Sequence, residues 1–204
     1  MNITACILAK NEGHCIGDLL VQLKPFVSSI IVTDDNSTDD TAIIATTNGA
    51  KVLTLPFPIA KHGFAEAVNW MEERVDTEWI FEIDADELVG DIQLLHTLTR
   101  YPDKNVWAFP RRKWRLFPRI REEYEAYPDW QIRFFRRGSG RFEGQMHKKW
   151  VGDRVHFAYN GPHIEHRQTE MRTIAKIKNI NKLYPKLANL QGVEIHGGKI
   201  REIE

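Results

Sequence analysis

The chain has 204 residues, 42% of them hydrophobic and 27% charged, which fits one globular domain and excludes a disordered chain. Its 28 basic residues balance its 28 acidic ones, so no net positive charge can drive nonspecific nucleic-acid binding. No apolar run approaches the ~20 residues of a membrane span, and the start lacks a signal-peptide pattern. We therefore expect a single soluble, cytoplasmic domain over residues 1–204.

Strands and helices are predicted to alternate in the first half of the chain. Short apolar runs predict strands at residues 3–8, 29–33, 51–55 and 79–83. Three helices are predicted between them: one over residues 16–23, one that a capping box at residues 37–40 would open and Gly49 would close, and one with an apolar stripe at Phe64, Val68, Met71 and Val75. This alternation predicts an α/β fold with a mostly parallel sheet flanked by helices.

The pattern changes after about residue 100. Strands are predicted at residues 106–110 and 131–136, separated by an aromatic, basic stretch that contains proline. A closing helix is predicted within residues 171–190, broken by Pro185. The second half therefore favours antiparallel additions to the sheet.

The two cysteines, Cys6 and Cys15, lie nine positions apart without Cys-x-x-Cys spacing. This spacing gives neither a disulfide framework nor a cysteine-rich zinc site. We expect both thiols to be bystanders.

Polar clusters follow three of the predicted strands, at residues 10–12 (KNE), 34–37 (DDNS) and 84–87 (DADE). Ligands of a doubly wound sheet bind beyond the carboxyl ends of its strands. Asp84 and Asp86 could place oxygens around a hard divalent cation and leave positions for phosphate. The same carboxylates also suit turns and helix starts, so both roles remain open.

Four motifs, in sequence order, carry a resemblance to a known family. They lie at residues 7–12 (ILAKNE), 31–41 (IVTDDNSTDDT), 64–69 (FAEAVN) and 83–87 (IDADE). Together they resemble the nucleotide-binding half of family 2 glycosyltransferases of the GT-A fold. Residues 129–147 are similar to a subgroup that includes lipopolysaccharide-core glycosyltransferases. The resemblance implies a nucleotide-sugar-binding half over residues 1–90 and an acceptor-side half over residues 91–204.

The resemblance also implies roles for individual residues. Asp35 would hold the base, which points to uridine or deoxythymidine, and Lys61 would meet a phosphate or the donor sugar. Asp86, with Asp84 and His147, would hold Mn²⁺ or Mg²⁺, with His166 the alternative to His147. The residues implied for nucleotide-sugar binding are Leu8, Ala9, Lys10, Asn11, Glu12, Asp35, Lys61, Asp84 and Ala85.

The mechanism implied by the resemblance is usually inverting. An acceptor hydroxyl attacks the anomeric carbon while a carboxylate removes its proton. The subgroup commonly has a Glu directly after the position of His147, but this chain has Lys148 there. The candidate bases are therefore Asp129 and Glu143, with Asp129 preferred because it lies in a Pro-Asp-Trp turn before a strand.

A basic segment occupies residues 111–121, where six Arg and Lys residues are interleaved with Trp114 and Phe117. It could bind an acidic acceptor glycan, an anionic membrane surface or an RNA backbone. We favour a loop on the acceptor side, because the chain has no recognisable RNA-binding motif.

The expected activity is transfer of a hexose or deoxyhexose from a UDP- or dTDP-sugar to a glycan or glycolipid hydroxyl. A nucleotidyltransferase would need a glycine-rich loop after the first strand, where residues 9–12 (AKNE) have none. A haloacid-dehalogenase-like phosphatase would need its Asp pair on the first strand. The remaining alternative is a nucleotide- or sugar-binding module that has lost its catalytic base.

Overall fold

The computed structural model describes residues 2–117, 120–123, 127–145, 148–169, 193–196 and 199–202. The chain divides into two compact units, one formed by Met1–Arg112 with Ala126–Glu165 and the other by Lys113–Glu125 with His166–Glu204. The predicted closing helix within residues 171–190 lies outside the described residues.

The first unit is built on four parallel strands in the order β3-β2-β1-β4. These strands are β1 (Ile3–Ala9), β2 (Ser29–Asp34), β3 (Lys51–Thr54) and β4 (Trp79–Asp84). The helices that alternate with them are α1 (Ile16–Leu23), α2 (Thr41–Thr47), α3 (Ile59–His62) and α4 (Phe64–Glu72). The predicted alternation of strands and helices is confirmed.

Antiparallel strands extend this sheet beyond β4, as predicted. A short strand β5 (Glu87–Gly90), a 3₁₀ turn (Ile92–Leu94) and the helix α5 (Leu95–Leu98) lead to the added elements. In the same sheet these are β6 (Val106–Phe117), β8 (Asp129–Arg136), β12 (His163–Thr169) and β11 (Val155–Phe157), which pairs parallel with β6. The strands β9 (Gly140–Glu143) and β10 (Lys149–Gly152) form a separate antiparallel pair. The strand order is β3-β2-β1-β4-β8-β6-β12-β5, and β8 runs antiparallel to both β4 and β6.

In the second unit, the residues that the structure describes form two short β-ladders. The end of β6 pairs antiparallel with β7 (Ile120–Glu123), and β13 (Val193–His196) pairs with β14 (Lys199–Glu202). The prediction of a loop over the basic segment is wrong for residues 111–117, which continue β6.

The two faces of the parallel sheet are each covered by a helix. Ile16, Leu19, Leu20 and Leu23 of α1 are buried in one core cluster, as their spacing predicts. On α4, Val68 and Met71 pack into a second cluster. The predicted stripe is wrong at Phe64, which is 47% exposed, because α4 begins there and Ala65 occupies the inward position of the first turn. In the described ranges, no helix is long and apolar enough to cross a membrane.

Candidate active site

The carboxyl ends of β1, β2 and β4 lie side by side at one edge of the sheet. Ala9 pairs with Asp34 across β1 and β2, and Leu8 pairs with Asp84 across β1 and β4. The backbone N–H of Asp35 donates to the carbonyl of Ala9 at 2.9 Å. The parallel register therefore brings together the three polar clusters that were predicted to share this edge.

Hydrogen bonds from the β2–α2 loop fix the loop that follows β1. Asn11 has a positive φ of 56°, and its N–H donates to Oγ of Ser37 at 2.9 Å. Thr38 N–H donates to Oδ1 of Asn11 at 2.7 Å. Glu12 N–H donates to Oγ1 of Thr41 at 2.8 Å. The backbone of the KNE cluster is thus held in place before any ligand binds.

The capping box predicted at residues 37–40 does not form, because Ser37 and Thr38 bond to the β1 loop instead. The carboxylate of Asp39 takes over the start of α2 and accepts the N–H of Thr41 at 3.0 Å. It also accepts the N–H of Gly13 at 3.0 Å. Desolvation would raise the pKa of Asp39, but the hydrogen bonds from Thr41 and Gly13 outweigh it and lower that pKa.

Asp35, the residue expected to hold the base, already has a cationic partner. Its side chain is buried, and Oδ2 accepts a hydrogen bond from Nζ of Lys10 at 2.8 Å. The Lys10 side chain is more than half exposed. A ligand that bonds to Asp35 would therefore share this carboxylate with an exposed lysine.

Arg133 connects three carboxylates at the end of β4. Its Nη1 donates to Glu82 at 2.7 Å, and its Nη2 donates to Asp84 and to Glu87, each at 2.7 Å. Arg133 is 2% exposed, whereas the Asp84 side chain is 41% exposed. Arg133 was not among the site residues predicted from the sequence. Its signal was a charged residue inside the otherwise apolar run at residues 132–135 (IRFF).

The charges in this cluster shift two pKa values in opposite directions. Desolvation would raise the pKa of Asp84, but Arg133, Lys148 and Arg111 hold it well below its usual range. Glu87 is fully buried, and desolvation, reinforced by the neighbouring carboxylates, raises its pKa to about 6. Asp84 is therefore ionised at neutral pH, whereas the pKa of Glu87 lies close to neutral pH.

Asp129 joins the same network through Arg111. Nε and Nη2 of Arg111 both donate to Oδ2 of Asp129, at 3.0 and 2.7 Å. Nη1 of Arg111 reaches Glu87 at 3.3 Å. Gln131 donates to Oδ1 of Asp129 at 2.8 Å. The preferred candidate base thus belongs to the cluster around the end of β4.

The other sequence-predicted residues are distributed differently. Glu143 is exposed on β9 and pairs with Arg141 at 2.6 Å, outside the Arg133 network. Lys61 lies on the short helix α3, two residues before Gly63, whose φ is 91°. His147 lies outside the described residues. Lys148, which stands where the subgroup has Glu, contacts the carboxylate of Glu82 through Nζ.

The turn at residues 84–86 offers oxygen donors that suit a hard divalent cation. Arg133 occupies Oδ2 of Asp84, while no donor among the described residues reaches Oδ1. Asp86 lies two residues further along the same turn and is 2% exposed. Carboxylate oxygens are the ligands that Mg²⁺ and Mn²⁺ prefer. The residues present therefore fit the expected metal.

A family model described as glycosyl transferase family 2 matches residues 4–148. The chain belongs to glycosyl transferase family 2. The matched range contains all four motifs as well as Arg133 and Lys148. The GT-A fold class expected from the motifs is confirmed.

Curated relatives align with this chain over only part of their own length. An uncharacterized glycosyltransferase of Rickettsia felis is 39% identical over 85 residues, which are 42% of this chain and 29% of that protein. An uncharacterized protein of Mycobacterium tuberculosis is 35% identical over 116 residues, 52% of this chain and 28% of that protein. The chain thus spans less than a third of these curated relatives.

Solved structures of sugar-phosphoglycerate synthases also resemble the chain. Glucosyl-3-phosphoglycerate synthase from Mycobacterium tuberculosis, in complex with Mn²⁺, UDP and glucosyl-3-phosphoglycerate, is 24% identical, with a TM-score of 0.45, 58% of this chain covered and 44% of that one. Mannosyl-3-phosphoglycerate synthase from Rubrobacter xylanophilus is 20% identical, with a TM-score of 0.47, 55% of this chain covered and 41% of that one.

Proposed function

We propose that this family 2 chain is a metal-dependent glycosyltransferase that moves a hexose or deoxyhexose from a UDP- or dTDP-sugar to a hydroxyl of a glycan or glycolipid. The observation that carries the proposal is the convergence of Asp35, Asp84 and Asp86 at one edge of the sheet. A nucleoside diphosphate needs both a partner for its base and countercharge for its phosphates, and this edge offers groups for each.

On the donor side, the fixed backbone of residues 8–12 and the carboxylate of Asp35 would bind the nucleoside. Asp35 can accept a hydrogen bond from the imide N–H of uracil or thymine. Asp84 and Asp86 would hold Mn²⁺ or Mg²⁺, which supplies positive charge to stabilise a leaving diphosphate. Arg133 keeps Asp84 ionised, because its guanidinium lowers the pKa of that carboxyl.

On the acceptor side, we propose Asp129 as the base that removes the proton of the attacking hydroxyl. Arg111 donates to Oδ2 and Gln131 donates to Oδ1 of this carboxylate, so both of its oxygens are held by hydrogen bonds. Glu143 remains the second candidate, as an exposed carboxylate on β9. Inversion at the anomeric carbon follows from a single displacement with one such base.

The basic segment at residues 111–121 suits an acceptor that carries anionic groups. Arg111 belongs to the Asp129 network, and Arg112 stacks over the ring of Tyr127 at 4.6 Å. Such a segment could also hold the protein peripherally at an anionic membrane, consistent with a cytoplasmic enzyme that acts on glycolipids.

The second candidate function is a binding module without catalysis, and Lys148 favours it. Lys148 replaces the Glu of the subgroup and places its ammonium group against Glu82. If the Glu at that position is the catalytic base of the subgroup, this chain would bind a donor without transferring its sugar.

Release of free nucleoside diphosphate separates the two candidates. The full chain is incubated with UDP-, dTDP- and GDP-sugars, Mn²⁺ and a panel of glycan acceptors. We expect release from a UDP- or dTDP-sugar, loss of release with chelator or in Asp86→Asn, and a rate lowered by about 10²–10⁴ in Asp129→Asn.

The matched control is Asp103→Asn, which changes an exposed carboxylate and should leave the rate unchanged. Binding of a donor without release would favour the binding module. Release that ignores chelator would contradict the proposed role of the metal.

A further inference from the structure

The turn that precedes α1 carries three metal-ligating side chains of different chemistry. Glu12, His14 and Cys15 each offer one ligand atom, and these atoms all lie within 4.8 Å of one another. His14 is exposed, while Glu12 and Cys15 are half-buried. The proposed sugar transfer uses neither His14 nor Cys15.

The backbone brings these side chains to the same side of one turn. The N–H groups of Cys15 and Ile16 both donate to the carbonyl of Glu12, at 3.0 and 2.9 Å. The bonds from Glu12 N–H to Thr41 and from Gly13 N–H to Asp39 anchor the turn on the α2 side. A metal would therefore meet a preformed loop, and little ordering would accompany its binding.

The separation of the Glu12 and Cys15 ligand atoms already matches a tetrahedral site. With Zn–S near 2.3 Å and Zn–O near 2.1 Å, tetrahedral geometry separates sulfur and oxygen by about 3.6 Å. Sγ of Cys15 lies 3.4 Å from Oε2 of Glu12. The ligand nitrogen of His14 lies within 4.8 Å of both atoms, and its exposed side chain can supply the third ligand.

We propose that Glu12, His14 and Cys15 form a binding site for Zn²⁺ or another thiophilic ion, separate from the site at Asp84 and Asp86. A thiolate and an imidazole select Zn²⁺ or Co²⁺, whereas Mg²⁺ and Mn²⁺ prefer oxygen ligands. Binding releases the thiol proton of Cys15 to solvent as the metal–sulfur bond forms. Three protein ligands leave a fourth position for water.

The proposed ion would also affect the neighbouring turn. Sγ of Cys15 donates to the carbonyl of Ala85 at 3.4 Å, and Ala85 lies between Asp84 and Asp86. A metal-bound thiolate has no proton to donate, so loading removes this hydrogen bond. An effect of this lost hydrogen bond on the metal ligands Asp84 and Asp86 rests on the proposed function, whereas metal binding at Glu12, His14 and Cys15 does not.

Titration of the reduced, metal-free full chain with Co²⁺ tests the site without any nucleotide. Coordination by Cys15 gives a thiolate-to-cobalt charge-transfer band in the near ultraviolet, and competition with Zn²⁺ then measures zinc affinity. We expect the thiolate band in the wild type, its loss in Cys15→Ser, and a cobalt affinity, measured from the band, that is lowered at least about tenfold in His14→Ala.

Two control variants locate the metal. Cys6→Ala removes the other thiol, which is fully buried in the core, and Asp86→Asn removes the hard-cation ligand; both should keep the band. An absent band in the wild type, a band retained in Cys15→Ser, or a band lost in Asp86→Asn would overturn the proposal. If Cys15→Ser does not fold, unchanged affinity in the exposed His14→Ala variant would overturn it as well.

Discussion

Replacing Arg133 with methionine removes the cation that connects three carboxylates at the end of β4. Methionine is apolar and unbranched, so it fills much of the same volume without charge. Glu82 would keep Lys148 as a partner, and Glu87 would keep Arg111 at 3.3 Å. Asp84 would lose its hydrogen bond from Arg133, but its partial exposure allows water to solvate it.

The expected cost at neutral pH is about 3–5 kcal/mol, the usual penalty for leaving buried charges without their partner. For a chain of this size, each kcal/mol lowers the unfolding midpoint by roughly 2–4 °C, so the midpoint should fall by roughly 6–20 °C. The penalty should shrink on acidification. Removing Arg133 raises the folded-state pKa of Glu87 further above its unfolded value, so the variant loses stability as pH rises and regains it as Glu87 is protonated.

Thermal unfolding of Arg133→Met and of the wild type between pH 5 and pH 8 measures both effects. Arg136→Met is the matched control, because Arg136 lies on the same strand, is partly exposed and pairs with Glu78 at 3.1 Å; its loss should cost about 1 kcal/mol or less. Arg133→Lys should recover only part of the stability, since an ammonium cannot reach all three carboxylates. Equal midpoints at pH 7, or a difference that does not change with pH, would refute the reasoning.

Three further predictions concern single residues. Because the folded-state pKa of Glu87 is raised to about 6, its contribution to stability declines as pH rises from about 4.5 to 6; unfolding scans of Glu87→Gln should lack this decline, and an unchanged profile would contradict it. Gly63→Ala places a Cβ 2.7 Å from Cα of Gln145, whereas Gly49→Ala meets nothing within 4 Å. Urea denaturation should therefore show the larger loss for Gly63→Ala, and equal losses would argue against the contact. Calorimetry should show UDP affinity at least about tenfold weaker in Asp35→Asn; unchanged affinity would show that Asp35 does not bind the uracil ring.

Local patterns predicted the parallel half of the fold because they report burial directly. The apolar runs gave β1, β2, β3 and β4 to within a residue or two, and the register of parallel strands then brought their polar ends together. The apolar spacing of α1 also identified its buried face. These features depend on short stretches of chain, which is why one sequence suffices to predict them.

Features that depend on distant partners were missed or misassigned. Arg133 and the carboxylate of Asp84 are 49 residues apart in the chain, so no local pattern reveals their pairing. The capping box failed for the same reason, since Ser37 and Thr38 bond to Asn11 on another loop. The strand predicted to end at Pro110 continues as β6, because the pairing of Arg111 with Asp129 extends the ladder.

The central claim is that the edge formed by the ends of β1, β2 and β4 binds a nucleoside diphosphate together with a divalent cation. Thermal unfolding with UDP, dTDP and GDP, each with and without Mn²⁺, tests it most directly. At about 100 times the dissociation constant, binding stabilises by roughly 2.7 kcal/mol and raises the midpoint by roughly 5–10 °C. We predict this shift for one pyrimidine diphosphate, only with Mn²⁺, and its loss in Asp86→Asn. No shift with any nucleotide, or an equal shift in Asp86→Asn, would contradict the claim.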